Sequence, residues 1–118
     1  MPKLFLLKTL GRFRPGGFSV LFLLIASGVT RAEAAKHVVK IENMKFNPPA
    51  LVVLLGDTVV WENHDIFPHS ITDVDKKSKI DSGIILSGKS FSLKMKKKKL
   101  AYFCKFHPVM KGEVNLSP

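Results

Sequence analysis

Ser90-Phe91-Ser92-Leu93-Lys94-Met95-Lys96-Lys97-Lys98-Lys99-Leu100-Ala101-Tyr102-Phe103-Cys104 is the stretch on which the fold turns. Its first six residues alternate, with Phe91, Leu93 and Met95 on one side and Ser92 and Lys94 on the other. Period-two alternation marks a half-buried strand, because successive side chains leave a strand on opposite faces. Four lysines follow, and Leu100-Ala101-Tyr102-Phe103 then runs as an apolar strand into Cys104. The lysines read as a hairpin turn joining strand 90–95 to strand 100–103. Lys97 stands seven residues from Cys104, roughly 23 Å of extended chain at about 3.3 Å per residue. The turn and the cysteine therefore belong at opposite ends of one strand. Four like charges in a turn stay solvated, which blunts edge-to-edge association. A patch that steers a charged partner is the alternative reading.

Working outward, the same short-strand grammar continues. His37-Val38-Val39-Lys40-Ile41, Met44-Lys45-Phe46, Ala50 to Leu55, Thr58 to Asn63 and Ser70-Ile71-Thr72 are extended runs bounded by Gly, Pro, Asn and Asp. Gly112 to Leu116 is the last strand, with Val114 and Leu116 on one face. Asp73 to Asp81 is polar and lysine-rich and reads as an irregular excursion. A helix over 74–82 would lack an apolar stripe. Seven or eight short strands without a helix predict an all-β sandwich, with Trp61 filling the space between two sheets.

Beyond the strand lies Cys104-Lys105-Phe106-His107-Pro108-Val109-Met110, which holds the chain's single cysteine. A thiol, an imidazole and a thioether this close suit copper, since thiolate and thioether favour Cu(I) and imidazole serves both oxidation states. The bland alternative is a buried cysteine with a histidine and a methionine beside it by chance. A further ligand must come from His37, His64 or His69. His69 follows Pro68 and opens a strand, and a strand end holds a ligand more firmly than a loop tip. Zn(II) would use Cys and His but has no need of Met. Two imidazoles, a thiolate and a weak thioether make the type 1 (blue) copper set, whose work is one-electron transfer. Ser70 and Asn63 are candidates for the hydrogen bonds that support it. Phe67, Pro68, Phe106, Pro108 and Val109 would make an apolar patch around the His107 edge, fit for docking and electron exit.

The first third of the chain has a different character. Lys3, Lys8, Arg12 and Arg14 form a basic leader, Phe18 to Val29 is almost wholly apolar, and Ala32-Glu33-Ala34 is a small-x-small pattern. This is the layout of a secretory signal peptide, with cleavage expected after Ala34. An uncleaved membrane anchor is the alternative. Residues 1–34 are thus read as leader and 35–118 as the domain, delivered to the periplasm. The leader takes five of the 19 basic and one of the nine acidic residues, leaving 14 against eight, net +6. The domain contains no arginine. Base readout and bidentate phosphate contacts lean on arginine, so a nucleic-acid role is not expected. A lone cysteine cannot form an internal disulfide, and metal ligation would protect it in an exported compartment.

Two motifs carry a family resemblance. The first is Gly56-Asp57-Thr58-Val59-Val60-Trp61-Glu62-Asn63, leading to Phe67-Pro68-His69-Ser70; the second is Tyr102-Phe103-Cys104-Lys105-Phe106-His107-Pro108-Val109-Met110. Together they resemble the cupredoxins, the plastocyanin/azurin family, and the short two-plus-two ligand spacing resembles its amicyanin branch. The resemblance implies a Greek-key β-sandwich. It implies one copper ion held by His69, Cys104 and His107, with Met110 as axial ligand rather than core filler. It also implies a monomeric carrier passing single electrons between periplasmic redox proteins, such as a dehydrogenase and a c-type cytochrome, docked near His107. No small-molecule substrate and no catalytic residue are expected. Two positions depart from the branch. The Gly-x-Tyr that often precedes Tyr-x-Cys is replaced by Lys98 and Leu100, and Ser70 stands where amicyanins have asparagine. Copper delivery or storage through the same ligands, without fast electron transfer, is the alternative function. A sandwich with a vestigial site is a third.

Overall fold

The structure, a computed structural model, describes residues 33–118. The leader read over 1–34 falls outside them except for its last two residues. Eight strands and no helix make up the described chain: β1 (Lys36–Glu42), β2 (Lys45–Asn47), β3 (Ala50–Val53), β4 (Thr58–Asn63), β5 (Thr72–Asp73), β6 (Ser90–Lys94), β7 (Lys99–Cys104) and β8 (His107–Leu116). They form two four-stranded sheets, ordered β2-β1-β4-β6 and β3-β8-β7-β5. This is the sandwich that the strand pattern predicts. Both sheets are mixed. β1 runs parallel to β4, with Val39 opposite Trp61, and β3 runs parallel to β8. Ala34–Pro118 is a compact unit that contains both sheets and the whole described core.

Two expectations are corrected. The lysine run is not a hairpin turn. β6 pairs with β4 and β7 pairs with β8, so Lys96–Lys98 carry the chain from one sheet to the other. Both strands alternate correctly, but alternation tells which face is buried and not which neighbour a strand pairs with. Nor are all four lysines simply solvated: Lys97 Nζ lies 2.5 Å from Asp73 Oδ2. The second correction concerns the last strand, which starts at His107 and not at Gly112. Pro108 stands second in β8, where a missing N–H interrupts little pairing.

Alternating side chains from both sheets meet in the core. Trp61 and Tyr102 are fully buried, their rings 5.3 Å apart at 82°, and Phe46 packs edge-on to Tyr102 at 4.8 Å. Burial pushes the Tyr102 hydroxyl up to about 12. The unfolded chain gives up this proton first, near 10. The contribution of Tyr102 to stability is thus fully present below about pH 10 and is lost as pH rises towards about 12. The chain has one tyrosine, so an absorbance titration reads it alone. We expect phenolate to appear near pH 12 or together with unfolding. Ionisation near pH 10 with the sheets intact would contradict this packing.

Candidate metal centre

β7 brings Cys104 to one end of the sandwich, and after Lys105 and Phe106 the chain returns as β8. Cys104 sits opposite His107 in the pairing, with a register shift between Phe103 and Cys104. Such an irregularity bends a strand and re-aims its last side chain. Here the thiol points inward and is wholly buried.

His69 arrives from the segment before β5. Its backbone is fixed by paired hydrogen bonds with Ile85, His69 N to Ile85 O at 3.1 Å and Ile85 N to His69 O at 2.8 Å. Its ring is also fully buried. Cys104 Sγ lies 3.7 Å from His69 Nδ1 and 3.8 Å from His107 Nδ1. The donor atoms of the three residues fall within 4.8 Å of one another. Met110, three residues along β8, is buried in the same side-chain cluster as Cys104. The other two histidines are elsewhere. His37 Nε2 lies 2.8 Å from Asp57 Oδ2, and exposed His64 places Nε2 3.1 Å from Glu62 Oε1.

Ser70 and Asn63 both support the cluster. The Ser70 N–H points at Cys104 Sγ at 3.4 Å, and Ser70 Oγ accepts from Lys105 N at 2.9 Å. An N–H donor aimed at a sulfur supports the charge that the sulfur carries as a metal ligand. Asn63 is buried and donates from Nδ2 to Phe67 O at 2.8 Å and to Ile85 O at 2.9 Å. It thereby shapes the loop that presents His69. Lys105 Nζ reaches Asp81 Oδ2 at 2.6 Å, tying the turn between β7 and β8 to the 73–81 excursion. The Lys105 ammonium, ahead of the Gly83 N–H, holds the Asp81 carboxyl below its ordinary value.

Asp65 is the residue that the sequence reading missed. Its Oδ2 lies 2.8 Å from His69 Nε2 and accepts from Met44 N at 3.0 Å, while Oδ1 accepts from Asn43 N at 2.7 Å. Asn43 and Met44 form the two-residue turn between β1 and β2, both with positive φ (53° and 59°). That conformation suits asparagine but is strained for methionine. One carboxylate thus holds a strained turn and a buried imidazole together. Burial works to raise the Asp65 carboxyl, but the Met44 N–H, His69 and the Asn43 N–H outweigh it and keep it below its ordinary value. A carboxylate on Nε2 places the ring proton there and leaves the Nδ1 lone pair facing Cys104. Asp65 is the only acid between Asn63 and His69, which is the one sequence signal for its role. Asp65→Ala should lower copper affinity by about 10–100-fold, with Asp65→Asn less affected. A competition titration against a copper chelator checks this, and unchanged affinity in the alanine variant would remove Asp65 from the account.

The donor set fits copper: two imidazole nitrogens directed inward, a sulfur with an N–H donor, and a neighbouring thioether. A family model described as copper binding proteins, plastocyanin/azurin family, matches residues 33–117. Amicyanin-alpha of Methylorubrum extorquens is 30% identical over 90 residues, covering 73% of this chain and 76% of that protein. A Cu(I) form of a methionine-to-alanine mutant of amicyanin superposes with a TM-score of 0.65 at 31% identity, covering 74% of this chain and 86% of that one. A purple cupredoxin from Nitrosopumilus maritimus superposes with a TM-score of 0.61 at 26% identity, covering 69% and 99%.

Proposed function

Because the chain belongs to the copper-binding plastocyanin/azurin family, we propose that it is a type 1 copper protein that carries single electrons between redox proteins. His69, Cys104 and His107 hold the metal, with Met110 as the weak fourth ligand. The observation that carries this reading is the convergence of His69 Nδ1 and His107 Nδ1 on Cys104 Sγ, within 3.8 Å. Bound copper supplies a one-electron couple between Cu(I) and Cu(II).

The remaining work falls to the protein. His69 and Cys104 are fully buried, so water is kept from the sulfur and from the inner imidazole. Asp65 fixes the His69 ring, Ser70 N–H steadies the thiolate, and Asn63 holds the loop between them. A site fixed before the electron arrives needs little rearrangement in either oxidation state, and this favours a carrier over a delivery protein that must release its metal. His107 is half-buried and lies beside Phe67, ring centroids 6.4 Å apart. Phe67, Pro68, Phe106, Pro108 and Val109 are exposed around it, Val109 at 90%. An apolar patch at a half-buried ligand is a docking surface for a redox partner, such as a dehydrogenase or a c-type cytochrome. Lys111 beside it favours encounter with an acidic partner. The leader layout of 1–34 supports a periplasmic location, and a copper held by four protein ligands, with no open position for substrate, supports a monomeric carrier rather than an enzyme.

Voltammetry of the copper-loaded domain tests the reading. A reversible one-electron wave, with an intense visible colour in the oxidised form, is expected. Colourless binding of Cu(I) alone would favour delivery or storage, and no binding would end both.

A further inference from the structure

The end of the sandwich opposite Cys104 carries a surface that electron transfer does not use. Leu54-Leu55-Gly56-Asp57 is a tight turn, closed by Asp57 N to Leu54 O at 3.0 Å, with Gly56 at φ +91°. Leu54 is 57% exposed and Leu55 70%. Neither belongs to the core cluster. The turn is rigid, because the Asp57 carboxylate accepts from Ala35 N at 2.9 Å and Leu54 N at 3.1 Å and sits 2.8 Å from His37 Nε2. The crossover from β6 to β7 lies against it: Gly56 N donates to Met95 O at 2.9 Å, and Met95 N to Asp57 O at 2.8 Å. Lys98 is brought close by Leu116 N to Lys98 O at 2.9 Å and Ser117 N to Val53 O at 2.7 Å. Lys36 joins through Thr58 N to Ala35 O at 2.9 Å.

Two exposed leucines at the corner of a turn thus share this pole with Lys36, Lys94, Lys96 and Lys98, all exposed. None of these four makes an ion pair among the described residues, whereas Lys97 and Lys99 reach Asp73 and Glu113. The acid that closes the turn, Asp57, is buried and already occupied. We propose that this pole docks on an anionic lipid surface, leucines in the interface and lysines on the headgroups.

Lysines alone would suit an acidic protein equally well. The leucine tip decides for lipid. A convex apolar corner needs a matching pocket in a protein, whereas a bilayer interface closes around it. Turn corners otherwise favour Gly, Pro, Asn, Asp and Ser, so two leucines there are unforced by the fold. Lysines close to an anionic leaflet add attraction that fades within a Debye length. The chain also joins the domain at this pole, since Ala35 N is bound to Asp57. An apolar run, Phe18 to Val29, precedes that point in the sequence. Docked this way, the Cys104 end would face away from the membrane, open to partners.

Flotation of the copper-loaded 35–118 domain with lipid vesicles tests the proposal. Vesicles of phosphatidylcholine with phosphatidylglycerol should carry the domain at low salt, and phosphatidylcholine alone should not. The paired change Lys96→Glu and Lys98→Glu should lower partition by more than about 25-fold, at about fivefold per lysine. Leu54→Ser with Leu55→Ser should lower it at least about tenfold. All of these residues are exposed and far from Cys104, so the copper spectrum verifies that each variant is folded. Equal partition on both vesicle types would overturn the proposal. So would leucine variants that bind as well as the parent, which would leave a charge patch suited to an acidic protein.

Discussion

Cys104→Ser should abolish the intense visible band of the Cu(II) domain altogether. The band arises from charge transfer between thiolate sulfur and Cu(II), and this chain has one sulfur of that kind. Serine offers a harder, shorter oxygen that stays protonated at neutral pH and does not prefer Cu(I). The pocket is built around sulfur: His69 Nδ1 at 3.7 Å, His107 Nδ1 at 3.8 Å and the Ser70 N–H at 3.4 Å are all sulfur contact distances. The fold should survive. A serine hydroxyl can accept the Ser70 N–H, so the cost is that of one buried hydroxyl in an apolar cluster, about 1–3 kcal/mol. Any remaining copper bound by the two histidines would be pale. His64→Ala is the matched control, because His64 is exposed, pairs with Glu62 and lies outside the cluster. It should leave the band intact. A blue band that persists without Cys104 would overturn the ligand assignment.

The largest expected loss of stability comes from a single methyl group. Gly112 of β8 sits directly opposite Tyr102 of β7. A Cβ at Gly112 would fall 2.5 Å from Tyr102 Cζ and 2.9 Å from Cε2. The ring cannot yield, since it is wedged edge-on between Phe46 and Trp61 and has no exposed surface to move into. Gly112→Ala should therefore cost about 1–3 kcal/mol or more as overpacking. In a domain of this size each kcal/mol lowers the melting temperature by about 4–8 °C. Because β8 also carries His107 and Met110, the variant should also bind copper less tightly. Melting followed by circular dichroism checks the first effect. A melting temperature unchanged within about 2 °C would mean that the Tyr102 ring is freer than its packing indicates. Gly112→Ala with Tyr102→Phe would separate the hydroxyl from the ring, since the ring carbons alone still collide.

The site was largely readable because its chemistry is concentrated. Cys104, His107 and Met110 share one short stretch, and His69 is preferred to His37 and His64 because it follows Pro68 and opens a strand, while the role of Met110 rests on the family resemblance. The strands were readable because each alternates or is bounded by turn residues. Pairing was not. Phe91, Leu93 and Met95 reveal which face of β6 is buried, but its partner is β4, reached across the 26 residues between Asn63 and Ser90. The lysines between β6 and β7 look like a hairpin turn because a crossover between sheets has the same local composition. Asp65 escaped for a related reason. Its role depends on the Asn43–Met44 turn, which is more than 20 residues away and meets it only in the fold. Polar contacts at long range leave no period in a sequence.

The most direct test of the central claim is X-ray absorption at the copper edge of the loaded domain, recorded in both oxidation states. The account predicts one short sulfur and two imidazole nitrogens around copper in each state, with little change between them. Loss of the short sulfur signal in the oxidised form, or a change in ligand number on reduction, would contradict it.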